Sequence, residues 1–206
     1  MTLAAVALVL PARADPPSEP AAPFSYGTQQ FGLLVGGGFG LPVEANLDVD
    51  HTRMFGVFPR WSIGITDPLA RGEFYEGNVE LVLQPMVLLN FRPRDGWAAG
   101  GSFLLHYNFL GAGTIVPFVE GGAGMSDMQF RLEDEADGFT YPLEASLGFH
   151  LPVFERAALT ASLGFYHLSN AGREYPNWGI NALMIRLGIT TFAEPILPTH
   201  RAARSQ

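Results

Sequence analysis

Residues 164–181 read GFYHLSNAGREYPNWGIN. His167 and Ser169 stand two apart at the end of an apolar run, an Asn-Ala-Gly turn follows, and a second strand-like segment opens on Asn181. A histidine next to a serine supplies the residue types of a hydrolase site. The same pair is also what a strand shows where its polar rim meets a loop. The elements that carry it decide between the two.

The composition narrows those elements. The chain has 206 residues, enough for one domain, and no cysteine, which excludes disulfides, thiolate metal sites and cysteine nucleophiles. Twelve arginines against twenty acidic residues give a net charge of −8, with no lysine and no basic cluster, which argues against nucleic-acid binding. Charged residues make up only 16%, against about 25% in soluble domains. Glycine (24) and phenylalanine (16) are both abundant. Such a chain does not face water on all sides.

The first residues, MTLAAVALVLPARA, have a short apolar core before the small-x-small site Ala12-Arg13-Ala14. They read as a secretory signal peptide (1–14), although the positive leading region is missing. Residues 15–28 are expected to be a flexible lead, and 193–206 a flexible tail.

Between them, apolar residues recur with period two. The longest uncharged run, Gly96–Val119, is broken by five glycines, Pro117, His106 and Asn108, so no apolar helix spans it. Read as a strand, Trp97, Ala99, Gly101, Phe103, Leu105 and Tyr107 share one face, and Ser102, Leu104, His106 and Asn108 share the other. The pattern recurs in eight stretches, at 29–41, 53–66, 74–91, 97–109, 114–126, 138–151, 157–169 and 178–192. Short turn-like connections such as RPRDG join several neighbours. One row is apolar with aromatics near its ends. The opposite row collects Arg60, Arg186, Glu80, Glu120 and Glu144. A sandwich core could not bury these cheaply, whereas inside a small barrel they can pair. The expectation is an all-β fold, an eight-stranded antiparallel transmembrane β-barrel over residues 29–192, in the outer membrane.

Such barrels begin and end in the periplasm, so odd strands run outward. The seventh strand therefore ends at the external rim. Leu159, Ala161, Leu163 and Phe165 form its lipid-facing row, and His167 and Ser169 continue that row. Asn181 falls in the matching row of strand eight. Polar groups emerging at membrane depth suggest a functional site, while groups just above the hydrocarbon are merely solvated. Parity alone leaves both open.

The string His167-x-Ser169-Asn170-Ala171-Gly172, followed by Pro176-Asn177-x-Gly179-Ile180, resembles the signature of the outer-membrane lipid A 3-O-deacylase (PagL-like) family. The resemblance is strongest over 164–181. It implies Ser169 as nucleophile on an acyl ester and His167 as its base, with an oxyanion hole from the Asn170 side-chain amide and the Gly172 N–H. It implies lipid A of lipopolysaccharide as substrate, outer-membrane lipids as surroundings, and no cofactor. Where the family pattern has a glutamate after Gly-Ile to orient the histidine, this chain has Asn181. An amide oxygen can accept the imidazole N–H but carries no charge. Glu174, in the loop between strands seven and eight, is the alternative orienting residue. The departure leaves room for a slower enzyme, or for a non-catalytic barrel with a structural or adhesive role.

Other residues are read as structural. His106 and His150 belong to inward rows and serve as interior hydrogen-bonding groups. The loop bearing Asp48, Asp50 and His51 and the run Glu133-Asp134-Glu135 with Asp137 are taken as solvated. The glycines of GGGFG (36–40) fit a crowded inward face. No spacing marks a metal site.

Overall fold

The computed structural model describes residues 23–42 and 47–196. The expected signal peptide, residues 15–22 of the lead and residues 197–206 of the tail lie outside them.

Eight strands follow one another: β1 (Gln29–Gly40), β2 (Arg53–Gly64), β3 (Gly77–Arg92), β4 (Gly96–Phe109), β5 (Val116–Gln129), β6 (Gly138–Phe154), β7 (Ala157–Ser169) and β8 (Ile180–Phe192). Each pairs antiparallel with its sequence neighbours, and β8 closes on β1 from Gln30↔Phe192 to Gly40↔Ala182. This is a closed eight-stranded antiparallel barrel, as the alternation foretold. Two single 3-10 turns, Asp48–His51 and Leu110–Ala112, are its only described helices. With 12 to 17 residues, every strand exceeds the about 9–11 needed to cross a bilayer. The described loop residues 41–42, 47–52, 93–95, 130–137 and 170–179 follow or precede the strand ends on one side of the barrel, called the upper rim below.

Side chains alternate as the sequence requires. Leu105 is 58% exposed and its neighbour His106 only 2%. The outward row is apolar and carries two bands of aromatics. Phe39, Phe55, Phe91, Trp97 and Phe139 lie near the upper rim, and Phe31, Trp61 and Phe149 lie towards the other end. That is the surface a transmembrane barrel presents to lipid.

The interior has three layers. Below the upper rim an apolar plug packs Leu34, Phe58, Leu88, Met128, Tyr166 and Met184. At the far end Phe24, Val116, Ala158 and Phe192 form a smaller cluster. Between them lies the polar layer. Arg186 donates to Glu144 (2.8 Å), Glu120 (3.4 Å), Ser146, Ser162 and Gln84. Arg60 forks onto both oxygens of Glu120, at 3.1 and 2.5 Å. Among the described residues Glu80 has no arginine within 4.0 Å and instead accepts from Gln30, Ser62 and Asn108. The buried charges thus sit in a hydrogen-bonded network, the condition under which burial is tolerable. The stem of Arg186 explains one glycine: a Cβ at Gly36 would lie 2.8 Å from its Cγ and 2.3 Å from the Ile185 carbonyl. His106 bonds Glu120 through Nδ1 (2.9 Å) and Asn108 through Nε2 (3.0 Å), and His150 bonds Thr160.

Strand ends differ from expectation by a few residues. The strand expected from 74 begins at Gly77, because Leu69 and Gly77 bond each other across a turn. The strand expected to end at 126 runs to Gln129, bringing Asp127 onto the outer face. Residues 23–28, placed by sequence in the flexible lead, are tied to the barrel: Phe24 is buried, Gly27 N–H donates to the Gly64 carbonyl, and Gly64 N–H donates to that of Thr28. Ile196 in the tail donates to the Glu155 carbonyl.

Candidate active site

His167 lies near the end of β7 and Asn181 near the start of β8, and register sets them directly opposite each other. Cross-strand partners on one face approach within about 5 Å between Cβ atoms, so their side chains can bond. Here they do. His167 Nδ1 is 2.8 Å from Asn181 Oδ1, and His167 Nε2 is 3.1 Å from Ser169 Oγ. Ser169 shares the face because it stands two residues on along the strand. All three are half-buried on the outward row that continues from Leu163 and Phe165.

The bonds fix the proton arrangement. An amide oxygen only accepts, so Nδ1 carries the imidazole hydrogen. Nε2 is then the lone-pair nitrogen, and Ser169 Oγ–H donates to it. A hydroxyl bonded to an imidazole that a third group orients is the pattern of an activated nucleophile. The sequence left Asn181 and Glu174 as alternatives for that third group. In the structure Asn181 occupies Nδ1. Glu174 is exposed, and its backbone N–H and carbonyl bond the Asn170 side chain.

The loop after Ser169 turns sharply, with positive φ at Ala171 (57°) and Gly172 (76°) and a bond from Arg173 N–H to the Asn170 carbonyl. Asn170 is buried. Its Oδ1 accepts from Arg173 N–H (3.0 Å) and Glu174 N–H (3.4 Å), and one N–H of its amide donates to the Glu174 carbonyl. The amide thus braces the turn with one hydrogen and has a second N–H. Gly172 is exposed, and a Cβ there would meet nothing within 4 Å.

Two residues central to this arrangement were given no role in the site by the sequence: Gly179 entered only as part of the family signature, and Glu135 as part of an acidic run. Gly179 has φ +72°, and a Cβ on it would lie 2.8 Å from His167 Cε1 and 3.4 Å from Ser169 Cβ. The backbone reaches over the pair only because the side chain is absent. The second is Glu135, in a run taken as solvated. That expectation fails here: Glu135 is fully buried and accepts from Gly179 N–H (2.7 Å) and Asn170 N–H (3.2 Å). It clamps both flanks of the site loop from the β5–β6 connection. Trp178 N–H donating to the Asp134 carbonyl and Ala136 N–H to that of Pro176 complete the seam. Burial pushes the Glu135 carboxyl up, although the two backbone N–H groups pull the other way. Asp134 accepts from Val49 N–H, so the loop at Asp48–His51 is locked to the same rim. A run of three acidic residues with a fourth, Asp137, close behind looks solvated in sequence. Only closure of the barrel brings the backbone donors to it.

With that geometry established, the comparisons decide the family. The sequence model of the lipid A 3-O-deacylase (PagL) family matches residues 53–190, well over half the chain and including His167, Ser169 and Asn181. The chain belongs to that family. Among solved structures it resembles the crystal structure of the outer membrane enzyme PagL, with a TM-score of 0.55 at 14% identity, covering 79% of this chain and 98% of that one. It also aligns with the outer membrane protein OprG from Pseudomonas aeruginosa (TM-score 0.47, 11% identity, 84% and 100% covered). A third alignment is with the outer membrane protein AlkL in lipid bilayers (TM-score 0.45, 11% identity, 91% and 100% covered). No curated protein matches the chain in sequence. Family and fold make it an outer-membrane β-barrel.

Proposed function

We propose that the protein is a serine esterase of the outer membrane that removes an ester-linked (3-O) acyl chain from lipid A. The observation that carries this reading is the Asn181–His167–Ser169 relay on the lipid-facing wall of a PagL-family barrel. The upper rim is then the external one, and the three side chains sit at the level of the outer-leaflet headgroups.

Ser169 Oγ attacks the ester carbonyl as His167 Nε2 takes its proton. Negative charge develops on the carbonyl oxygen, and the free N–H of the Asn170 amide and the Gly172 N–H are the donors proposed to meet it. Collapse expels the sugar alkoxide, which receives the proton from His167. Water then attacks the acyl-enzyme by the same route, releasing the fatty acid and restoring Ser169. Asn181 holds the tautomer throughout. It supplies no charge to offset the imidazolium, so turnover is slower than a carboxylate would allow.

The wall below the relay suits an acyl chain. An open apolar groove bounded by Val119, Ala145, Leu147, Leu163, Phe165 and Leu183 continues down the same face. A lipid in the outer leaflet reaches it without leaving the membrane.

The test is the lipid A of a Gram-negative host expressing the protein, read by mass spectrometry beside a Ser169→Ala variant. Loss of one ester-linked acyl chain in the first sample alone is the expected result. Unchanged lipid A in both, with the barrel correctly inserted, rejects the reading. The amide at Asn181 favours a second reading, a small barrel that keeps the relay without using it, and the same experiment separates the two.

A further inference from the structure

The upper rim is acidic, and its arginines differ in how they are held. Arg94 is locked to Glu133 and faces Asp48 at 3.9 Å. Arg173 stands in the site loop, exposed, and among the described residues no carboxylate lies within 4.0 Å of it. It is nevertheless fixed in place. Its Nη1 donates to the Tyr141 hydroxyl (3.3 Å), and its guanidinium lies 5.2 Å above the Phe139 ring. Tyr141 is the residue that register sets directly opposite Ser169 on β6. Two side chains of the outer wall thus hold a cation beside the nucleophile, with most of its five N–H donors uncommitted.

Its depth matters. Phe139 and Tyr141 belong to the aromatic band near the rim, and such bands mark the headgroup level. The anions at that level are phosphates, and a planar guanidinium binds phosphate bidentately with little desolvation cost. An unpaired arginine poised there on an acidic rim is poorly explained as a surface charge that merely keeps the protein soluble.

We propose that Arg173, positioned by Tyr141 and Phe139, binds a phosphate group on the headgroup of the same lipid whose acyl ester lies at Ser169. The proposal rests on the deacylase reading. It makes Arg173 a specificity residue: substrate is held at two points, the phosphate by Arg173 and the ester by the relay, which sets which ester meets Ser169. The contact is equally present before and during reaction, so its loss raises KM more than it lowers kcat.

The test compares bis-phosphorylated lipid A with the same lipid after enzymatic dephosphorylation, in detergent micelles, on wild type, Arg173→Gln and Arg173→Lys. Wild type is expected to prefer the phosphorylated substrate, by roughly tenfold in KM as charge-assisted hydrogen bonds suggest. Arg173→Gln brings the ratio of the two KM values close to one, and Arg173→Lys falls between. An unchanged ratio in Arg173→Gln overturns the proposal, as does a fall in kcat that is equal on both substrates. Binding of both lipids to Ser169→Ala and to Ser169→Ala/Arg173→Gln, measured by native mass spectrometry, judges the contact without turnover. If wild type cleaves neither lipid, the deacylase reading fails by itself, while Arg173-dependent retention of the phosphorylated lipid still supports the contact and its absence still overturns it. Inorganic phosphate that competes at low millimolar concentration only when Arg173 is present would mark a free-anion site and also overturn it.

Discussion

The barrel holds two histidine relays that look alike on paper. Inside, His106 bonds the carboxylate of Glu120, which also accepts from Ser146 at 2.8 Å. Outside, His167 bonds the amide of Asn181 and receives Ser169. By residue type the inner set is the better serine-histidine-carboxylate collection. It is nonetheless structural: Ser146 bonds the carboxylate rather than the imidazole, and Arg60 and Arg186 saturate Glu120 in a sealed layer. The outer set lacks the charge but has the order hydroxyl, imidazole, amide that the proposed chemistry needs, and it lies on the outward face of the barrel. On the proposed reading, connectivity and access separate chemistry from packing here, more than the identity of the acid does.

Removing one serine from each relay draws the sharpest contrast. Ser169→Ala is expected to lower deacylation by at least about a thousandfold. Ser146→Ala, which takes one hydrogen bond from Glu120 and one from Arg186, leaves deacylation intact and lowers stability by about 1 kcal/mol. Fatty-acid release and denaturant melting of the purified barrel measure both. Equal losses of activity would erase the distinction.

The next largest effect lies at Gly179. Alanine there combines a left-handed backbone with a methyl 2.8 Å from His167 Cε1, so the imidazole shifts. A misplacement near 1 Å costs about a hundredfold in rate. The expected result is that loss of kcat with Ser169 no longer reactive, while strand content by circular dichroism is retained.

Asn181→Glu probes the missing charge itself. A hydrogen bond to a charged partner exceeds a neutral one by about 1 kcal/mol, which is about fivefold in rate. The variant is expected to gain that in kcat; a loss would mean that the amide is the better fit to this pocket.

The smallest effect concerns the clamp. Burial raises the Glu135 carboxyl, so folding favours its protonated form. Its contribution is fully present below the ordinary glutamate value and is lost as pH rises through the raised one. Asp134, its neighbour, is raised by burial too and adds in the same sense. The melting temperature of the wild type should therefore decline from about pH 4.5 to 7.5, and by less in Glu135→Gln; an equal decline in both would remove Glu135 from the effect.

The contrast also explains what the sequence could reveal. Alternation fixes which face a residue joins, so the strands, the buried charges and the shared face of His167, Ser169 and Asn181 were legible. The register that sets His167 opposite Asn181 follows once the β7–β8 hairpin is recognised. Glu135 was not legible, because its partners lie more than thirty residues away and meet it only when the barrel closes. Gly179 was legible only as a letter of the family signature, not in its role: the need for a bare backbone over His167 depends on a loop path that no periodicity encodes. Asn170 was read as an oxyanion donor alone, yet its amide also braces the turn through Glu174.

A covalent serine probe puts the central claim to its most direct trial. The folded protein is treated with an alkyl fluorophosphonate in micelles, and adducts are mapped by peptide mass spectrometry. Modification is expected at Ser169, with its loss in His167→Ala and none at Ser146, Ser102 or Ser162 inside the wall. An unmodified Ser169 in wild type, or equal labelling with and without His167, would contradict it.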